Sequence, residues 1–321
     1  MDSFNYKLKK EIVSSVNKNY QLSFLSGLIK CNGEIKKSNC NGQIFIKTEL
    51  VELYDCVNNA ISNLYGESAN LDISDEVGFS DRTKYEITLP SNLTNQILLD
   101  TEVAFYDEEK YLNFNLGISK YIVETEEQII EYIKGVFLGS GTSNIVLSNL
   151  NNLSKSTGYH LEFIFSNEQL ASDFSNLLAS VNIISKKLVR KDLFVVYVQD
   201  FDQISSLIGL MGATKSFLDL QNENALREMR NKVNRQNNCQ TANITKIVNA
   251  SVEQLNNIKI IQDTIGIESL DERLRQACYL RLANPDESLD NLVKLSTDKI
   301  SKSGLYHRFK KINKIATEIN K

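Results

Sequence analysis

The 321-residue sequence has no tryptophan, two prolines, two histidines and five cysteines, and each scarcity excludes something. The histidines, His160 and His307, lie far apart and leave little material for His-based metal or acid–base chemistry. The cysteines (Cys31, Cys40, Cys56, Cys239 and Cys278) are odd in number and scattered, with no Cys-x-x-Cys pair. That pattern supports neither a disulfide frame nor a zinc site and reads as reduced thiols in a reducing compartment. No apolar run approaches the ~20 residues of a membrane helix. The opening MDSFNYKLKKEIVSS also lacks the apolar core of a signal peptide, so the expectation is a cytoplasmic protein away from membranes. A hydrophobic content of 42% with so little proline is unlike a disordered chain. At roughly 100–200 residues per domain, the length suggests two or three domains.

What is present is unevenly distributed. The formal net charge of −4 divides into −9 over residues 1–220 and +5 over residues 221–321. Between Lys299 and Lys314 stand Lys299, Lys302, Arg308, Lys310, Lys311 and Lys314, with no acid among them. Such a stripe is either a solvated helix face or a reader of phosphate backbone, and charge alone leaves both open.

An internal repeat organises the front of the chain. Ser23–Ile35 (SFLSGLIKCNGEI) is echoed by Glu131–Ser143 (EYIKGVFLGSGTS), aligning Gly27 with Gly135 and Gly33 with Gly141 at an offset of 108. After the first copy, Gln43–Lys47 alternates as a strand and Leu50–Leu64 patterns as a helix; after the second, His160–Phe165 and Asn167–Val181 do the same. Lys84–Leu89 and Leu193–Gln199 then match as further strands. Each half reads helix, strand, helix, strand or strands, helix. Gly27 and Gly135 fall inside apolar helical patterns, where Gly costs about 1 kcal/mol relative to Ala. Close approach of two helices would compensate, with Ser26-Gly27 facing Gly135 and Gly139.

Past residue 220 the strand signals end. Asn222–Ile258 forms a long helical tract with an expected break near Asn237–Asn238. Asp271–Leu282 sets Leu274, Ala277, Cys278 and Leu282 on one face, and Asn284-Pro285 stops it. Glu287–Leu295 is a short amphipathic helix with Leu289, Leu292, Val293 and Leu295 inward. A polar turn, Ser296–Ser301, leads into Lys302–Ile319, where Leu305, Phe309, Ile312, Ile315 and Ile319 recur at helical intervals. Two short helices and a tight turn, the second helix apolar on one side and basic on the other, read as a helix-turn-helix.

SFLSGLIKCNGEI resembles the LAGLIDADG signature of homing endonucleases, with Leu25, Gly27, Leu28, Ile29 and Gly33 in register. The second copy, Ile133–Gly141, keeps chiefly the glycines. In active members the acid before the last Gly of each copy binds the metals that activate water. Those positions here are Asn32 and Ser140, which bring no negative charge to a hard cation. The resemblance thus implies a scaffold without nuclease chemistry, no catalytic residues, no metal and no cofactor.

The chain as a whole is similar to the WhiA family of bacterial DNA-binding regulators tied to sporulation and cell division. The most specific matches are Val233–Asn243 (VNRQNNCQTAN), Leu280–Leu289 (LRLANPDESL) and Ser301–Ile312 (SKSGLYHRFKKI). The resemblance implies double-stranded DNA binding, transcriptional control, roles in cell division and chromosome segregation, and a place at the nucleoid. The expected architecture is α+β: a duplicated LAGLIDADG-like domain over 1–218, with repeats of about 1–120 and 121–218, then an all-helical domain over 219–321. The helix-turn-helix should lie at about 287–320.

Candidate DNA contacts follow from residue type and position. Ser301 and Ser303 can cap the last helix and donate to phosphate, where free backbone N–H groups also favour an anion. Gly304 would let backbone approach the duplex. Tyr306, His307, Lys310 and Lys314 project off the apolar face toward base edges or phosphates, while Lys302, Arg308 and Lys311 suit phosphate. Arg227, Arg230, Lys232 and Arg235 give a second basic segment, whose other reading is an ordinary charged helix; Arg230, Arg235 and Asn238 are the candidate contacts there. Two further readings of the chain stay open: a metal-dependent endonuclease using unrecognised acids such as Glu34, and an interaction module whose acidic front docks a transcription factor or polymerase subunit. No small-molecule substrate is expected.

Overall fold

The computed structural model describes residues 3–38, 41–73, 83–145 and 158–319. Cys40 and residue 320, the expected end of the helix-turn-helix, lie outside them. The chain divides into two compact units, Met1–Ala225 and Leu226–Lys321.

The first unit opens with α1 (Phe4–Ser14), then α2 (Gln21–Asn32), β1 (Gly33–Ser38), β2 (Asn41–Thr48), α3 (Val51–Tyr65), β3 (Asn70–Ile73), β4 (Tyr85–Thr88) and α4 (Thr94–Asp100). A hairpin of β5 (Ala104–Tyr106) and β6 (Leu112–Phe114) follows. The second half runs α5 (Glu126–Ser140), β7 (Gly141–Ser143), β8 (Leu161–Phe165), α6 (Glu168–Ser180), β9 (Lys186–Arg190), β10 (Leu193–Val198) and α7 (Phe201–Leu210). Both halves build an antiparallel sheet of the same topology, β1-β2-β4-β3 and β7-β8-β10-β9. The duplication expected from the glycine offset is therefore real at the level of topology. Sequence periodicity finds the central strands and misses β1, β3, β7 and β9. These are edge strands, short or charged as in Lys186–Arg190 (KKLVR), and charge on an edge strand is what keeps it from pairing with other chains.

The two signature helices form the centre of the unit. Phe24, Leu25 and Leu28 of α2, with Tyr132, Ile133, Val136 and Phe137 of α5, have no exposed surface. The inner faces of the sheets, Ile44 and Ile46 in one and Phe163 and Phe165 in the other, join the same core. The glycines explain the spacing. A Cβ at Gly135 would run into the Phe24 carbonyl and lie 2.8 Å from the Leu28 nitrogen; one at Gly27 would meet the Tyr132 carbonyl and lie 3.0 Å from the Val136 nitrogen. Gly139 likewise faces Cys31 and Leu28. Gly33 and Gly141 serve a different need, letting each helix pass straight into its strand where a Cβ would collide with Ile29 or Phe137.

Replacing Gly27 or Gly135 by Leu should destabilise the first unit by about 1–3 kcal/mol, the usual cost of overpacking. Denaturant melts would show lowered midpoints. Unchanged midpoints would mean that the helices are not held at this separation.

α8 (Thr214–Thr264) begins in the first unit, where Leu220 is buried, and continues into the second. The break expected near Asn237–Asn238 does not occur. Asn is only a weak helix former, costing up to ~0.7 kcal/mol, and no Gly or Pro stands between residues 214 and 264 to stop the helix.

In the second unit, α9 (Glu272–Ala283), α10 (Leu289–Leu295) and α11 (Lys302–Ile319) pack with the end of α8. Ile258, Ile261, Leu274, Ala277, Cys278, Leu292, Leu305, Phe309 and Ile312 make the core. Asp271 and Ser288 cap α9 and α10, accepting from Leu274 N–H at 2.9 Å and Asn291 N–H at 3.3 Å. Two expected core positions are corrected. Leu282 is exposed because the helix phase set by Leu274, Ala277 and Cys278 turns Arg281 inward instead. Leu295 is exposed because it ends α10, beyond the turn that packs.

Candidate nucleic-acid interface

α11 is divided cleanly into two faces by its own spacing. Leu305, Phe309, Ile312 and Ala316 stand at i, i+4, i+7 and i+11 and are buried. Ser303, His307, Lys310 and Lys314 follow the same interval on the opposite side and are exposed, flanked by exposed Tyr306 and Lys311. Ser301 caps the helix, its Oγ accepting from Gly304 N–H at 3.2 Å. Tyr306 and His307 pack edge to face with ring centroids 5.9 Å apart.

The cations on this helix differ in what already occupies them. Among the described residues, Lys310 and Lys311 have no ion-pair or hydrogen-bond partner. Lys314 is 3.8 Å from Glu318, and Lys302 reaches Asp290 at 2.6 Å across to α10. Both pairs are exposed, so each holds its lysine by less than about 1 kcal/mol and a phosphate can replace the acid. Arg308 is different. Its guanidinium lies 3.2 Å from both the Asp298 carboxylate and the Arg273 carbonyl and is mostly buried, so it anchors α11 to the turn and to α9. A Cβ at Gly304, in the first turn of α11, would lie 3.0 Å from the Ile300 side chain, so the residue packs closely against the preceding turn.

Arg230, Arg235 and Asn238 lie on α8 within residues 230–249, all of which are exposed. Arg235 donates through Nε to the Asn231 carbonyl at 3.2 Å. At ~1.5 Å rise per residue, Asn238 stands about 20 Å along the helix from Ser251, where α8 becomes buried. Ser251 donates there to the Pro285 carbonyl. These three residues form a segment separate from the α11 stripe.

Sequence reasoning missed Arg281. It is 1% exposed, and donates to the Gln254 side chain at 2.9 Å and to the carbonyls of Glu287 (2.6 Å), Asn284 (3.3 Å) and Pro285 (3.4 Å). Its guanidinium lies 5.6 Å from the Phe309 ring centre, so one side chain ties α8, α9 and the loop before α10 to the inner face of α11. Burial pulls its pKa below the ordinary arginine value, and Glu287 opposes that shift.

In the first unit, Asn32 and Ser140 are the last residues of α2 and α5. Asn32 donates to the Lys47 carbonyl at 2.8 Å and the Gly139 carbonyl at 3.4 Å, and accepts from Lys47 N–H at 3.4 Å. Ser140 donates to the Val136 carbonyl at 3.4 Å, and burial pushes the nearby Cys31 thiol up to about 12. Glu34 lies 3.3 Å from Lys47 and 3.6 Å from Lys36. Among the described residues, no three His, Cys, Asp or Glu side chains are grouped to hold a metal ion, and no helix is long and apolar enough to cross a membrane.

Comparison with known proteins finds two family models along the chain. Residues 129–230 match the WhiA LAGLIDADG-like domain and residues 233–316 the WhiA C-terminal HTH domain. A Clostridium botulinum protein named "Probable cell division protein WhiA" is 34% identical, covering 99% of this chain and 98% of its own. The protein of that name from Clostridium acetobutylicum is 33% identical, covering 99% of both. In fold, the chain is similar to full-length DUF199/WhiA from Thermatoga maritima, with a TM-score of 0.56, 21% identity and 99% of each chain covered. The protein belongs to the WhiA family, with a LAGLIDADG-like domain followed by a helix-turn-helix domain.

Proposed function

We propose that this protein is a DNA-binding regulator of transcription, acting in cell division and chromosome segregation at the nucleoid, and that it does not cut DNA. The observation that carries the reading is the outward stripe of α11. Ser303, His307, Lys310 and Lys314 share one exposed face, with Tyr306 and Lys311 beside them. A rigid apolar face holds that stripe in place, as a helix presented to a groove requires. Ser301 and Lys302 suit phosphates near the helix start, where the backbone N–H groups also favour an anion, and Lys311 suits a phosphate farther along α11. Arg308, spent on Asp298 and Arg273, positions the helix. Arg230, Arg235 and Asn238 offer a second backbone contact along α8. The relatives bear the name "Probable cell division protein WhiA", which supports the cellular role. Transcriptional control would be tested by recovering bound promoter DNA from cells and following expression of the adjoining genes when Lys310 and Lys311 are changed to Ala.

The absence of cleavage rests on the first unit. The positions that carry acids in nuclease relatives are an amide and a hydroxyl already bonded within the fold, and Glu34 is matched by two lysines. Asn32→Asp and Ser140→Asp together should not create efficient cleavage, because an active site also needs positioned water and a seated phosphate. Incubating plasmid with Mg²⁺ or Mn²⁺ checks this. Site-specific cutting by the unmodified protein would refute the scaffold reading.

A further inference from the structure

Residues 1–220 carry nine more acids than bases, yet one cavity of the first unit is lined by lysines. The cavity, about 270 Å³, is bordered by Lys9 from α1, Lys47 from β2 and Lys84 just before β4, with Glu49 as its one lining carboxylate. Asn5, Tyr6, Asn32 and Thr48 complete the polar wall. Lys47 shares its charge with Glu34 at 3.3 Å. Lys9 has no acid within ion-pair distance among the described residues: its ammonium lies 5.8 Å from the centre of the Phe137 ring, and Glu49 acts on it only at longer range.

We infer that this cavity is a binding site for a compact, multiply charged anion, a small phosphate or polycarboxylate compound. The volume lies at or below the ~300–1,000 Å³ usual for drug-sized ligands, which limits the occupant to a few heavy groups. Lysines bordering the cavity from three elements carry point charges suited to oxyanions of either kind, whereas a planar guanidinium fork would have favoured one geometry. Burial lowers the Lys9 pKa to about 8 against the pull of Glu49, so a bound anion would relieve a desolvated charge. The site is independent of the DNA-binding stripe on α11.

The test is calorimetric titration and thermal melting of the full chain with inorganic pyrophosphate and, separately, citrate, at ionic strength held constant with NaCl. Saturable binding with a raised melting temperature is expected for at least one of them, and which one distinguishes phosphate from carboxylate. Lys9→Met keeps the aliphatic stem and should weaken the dissociation constant at least tenfold; Lys84→Met, at a half-buried position, should also weaken it. Glu49→Gln should tighten it. Lys310→Ala with Lys311→Ala should leave it unchanged. Absence of saturable binding, or binding kept in both Lys9→Met and Lys84→Met, would overturn the inference. So would binding lost only when Lys310 and Lys311 are changed.

Discussion

Lys134→Met should cost the first unit about 3–5 kcal/mol, the penalty for leaving a buried charge without its partner. Lys134 and Glu131, one turn apart on α5, are 5% and 4% exposed, with Nζ 2.7 Å from Glu131 Oε1 and 2.7 Å from the Ser15 carbonyl. Removing the ammonium strands Glu131, whose Oε2 already has no hydrogen-bond partner among the described residues. Burial raises the Glu131 pKa even in the intact pair. A carboxyl raised in the folded state binds protons there more tightly than in the unfolded chain, so protonation favours folding. The Lys134→Met defect should therefore shrink as pH falls from 8 toward 5, and Glu131→Gln with Lys134→Met should recover much of the loss at neutral pH. Denaturant melts of the three variants at several pH values check this. A defect equal at all pH values would mean that packing, and not stranded charge, explains the loss.

Arg281→Met should have the second large effect, about 3 kcal/mol in the second unit. It leaves the Glu287 carbonyl and the Gln254 side chain without the donor they now have, at a penalty of roughly 1–3 kcal/mol for each buried group left unsatisfied. Arg281→Lys should rescue little, since an ammonium cannot span Gln254 on one side and the loop carbonyls on the other. Because the guanidinium also lies against Phe309, DNA affinity should fall in parallel with stability. Melts and DNA titrations of both variants would reveal any separation. A variant that is stable yet fails to bind would place Arg281 at the DNA itself.

These two side chains mark the boundary of what the sequence makes legible. The glycine offset and the alternation of Gln43–Lys47 and Leu193–Gln199 carry the duplicated fold, because apolar period and close packing leave their trace in residue type. The apolar face of α11 was equally readable. A buried ion pair leaves no such trace: Glu131 and Lys134 look in the sequence like any solvated pair one helical turn apart. Arg281 shows the same limit from the other direction. Leu274, Ala277 and Cys278 set a helix phase that reaches position 281, but reading by hydrophobicity alone selects Leu282 next door. The α11 cations were found by type, whereas the different occupation of Arg308 and Lys310 depends on Asp298, which only the folded turn brings into range.

The most direct test of the central claim is fluorescence-anisotropy titration of duplex DNA with the full chain at several salt concentrations. If about four phosphates are neutralised, log affinity should fall against log salt with a slope of roughly −3 to −4. Lys311→Ala should weaken binding to all sequences alike and make the slope shallower by about one, whereas Lys310→Ala or Ser303→Ala should narrow the gap between a preferred site and random DNA. Lys36→Ala with Arg190→Ala, on the sheets of the first unit, should leave both quantities unchanged. Unaltered affinity and slope in the α11 variants, with binding lost in the sheet variant, would contradict the assignment of DNA binding to the helix-turn-helix.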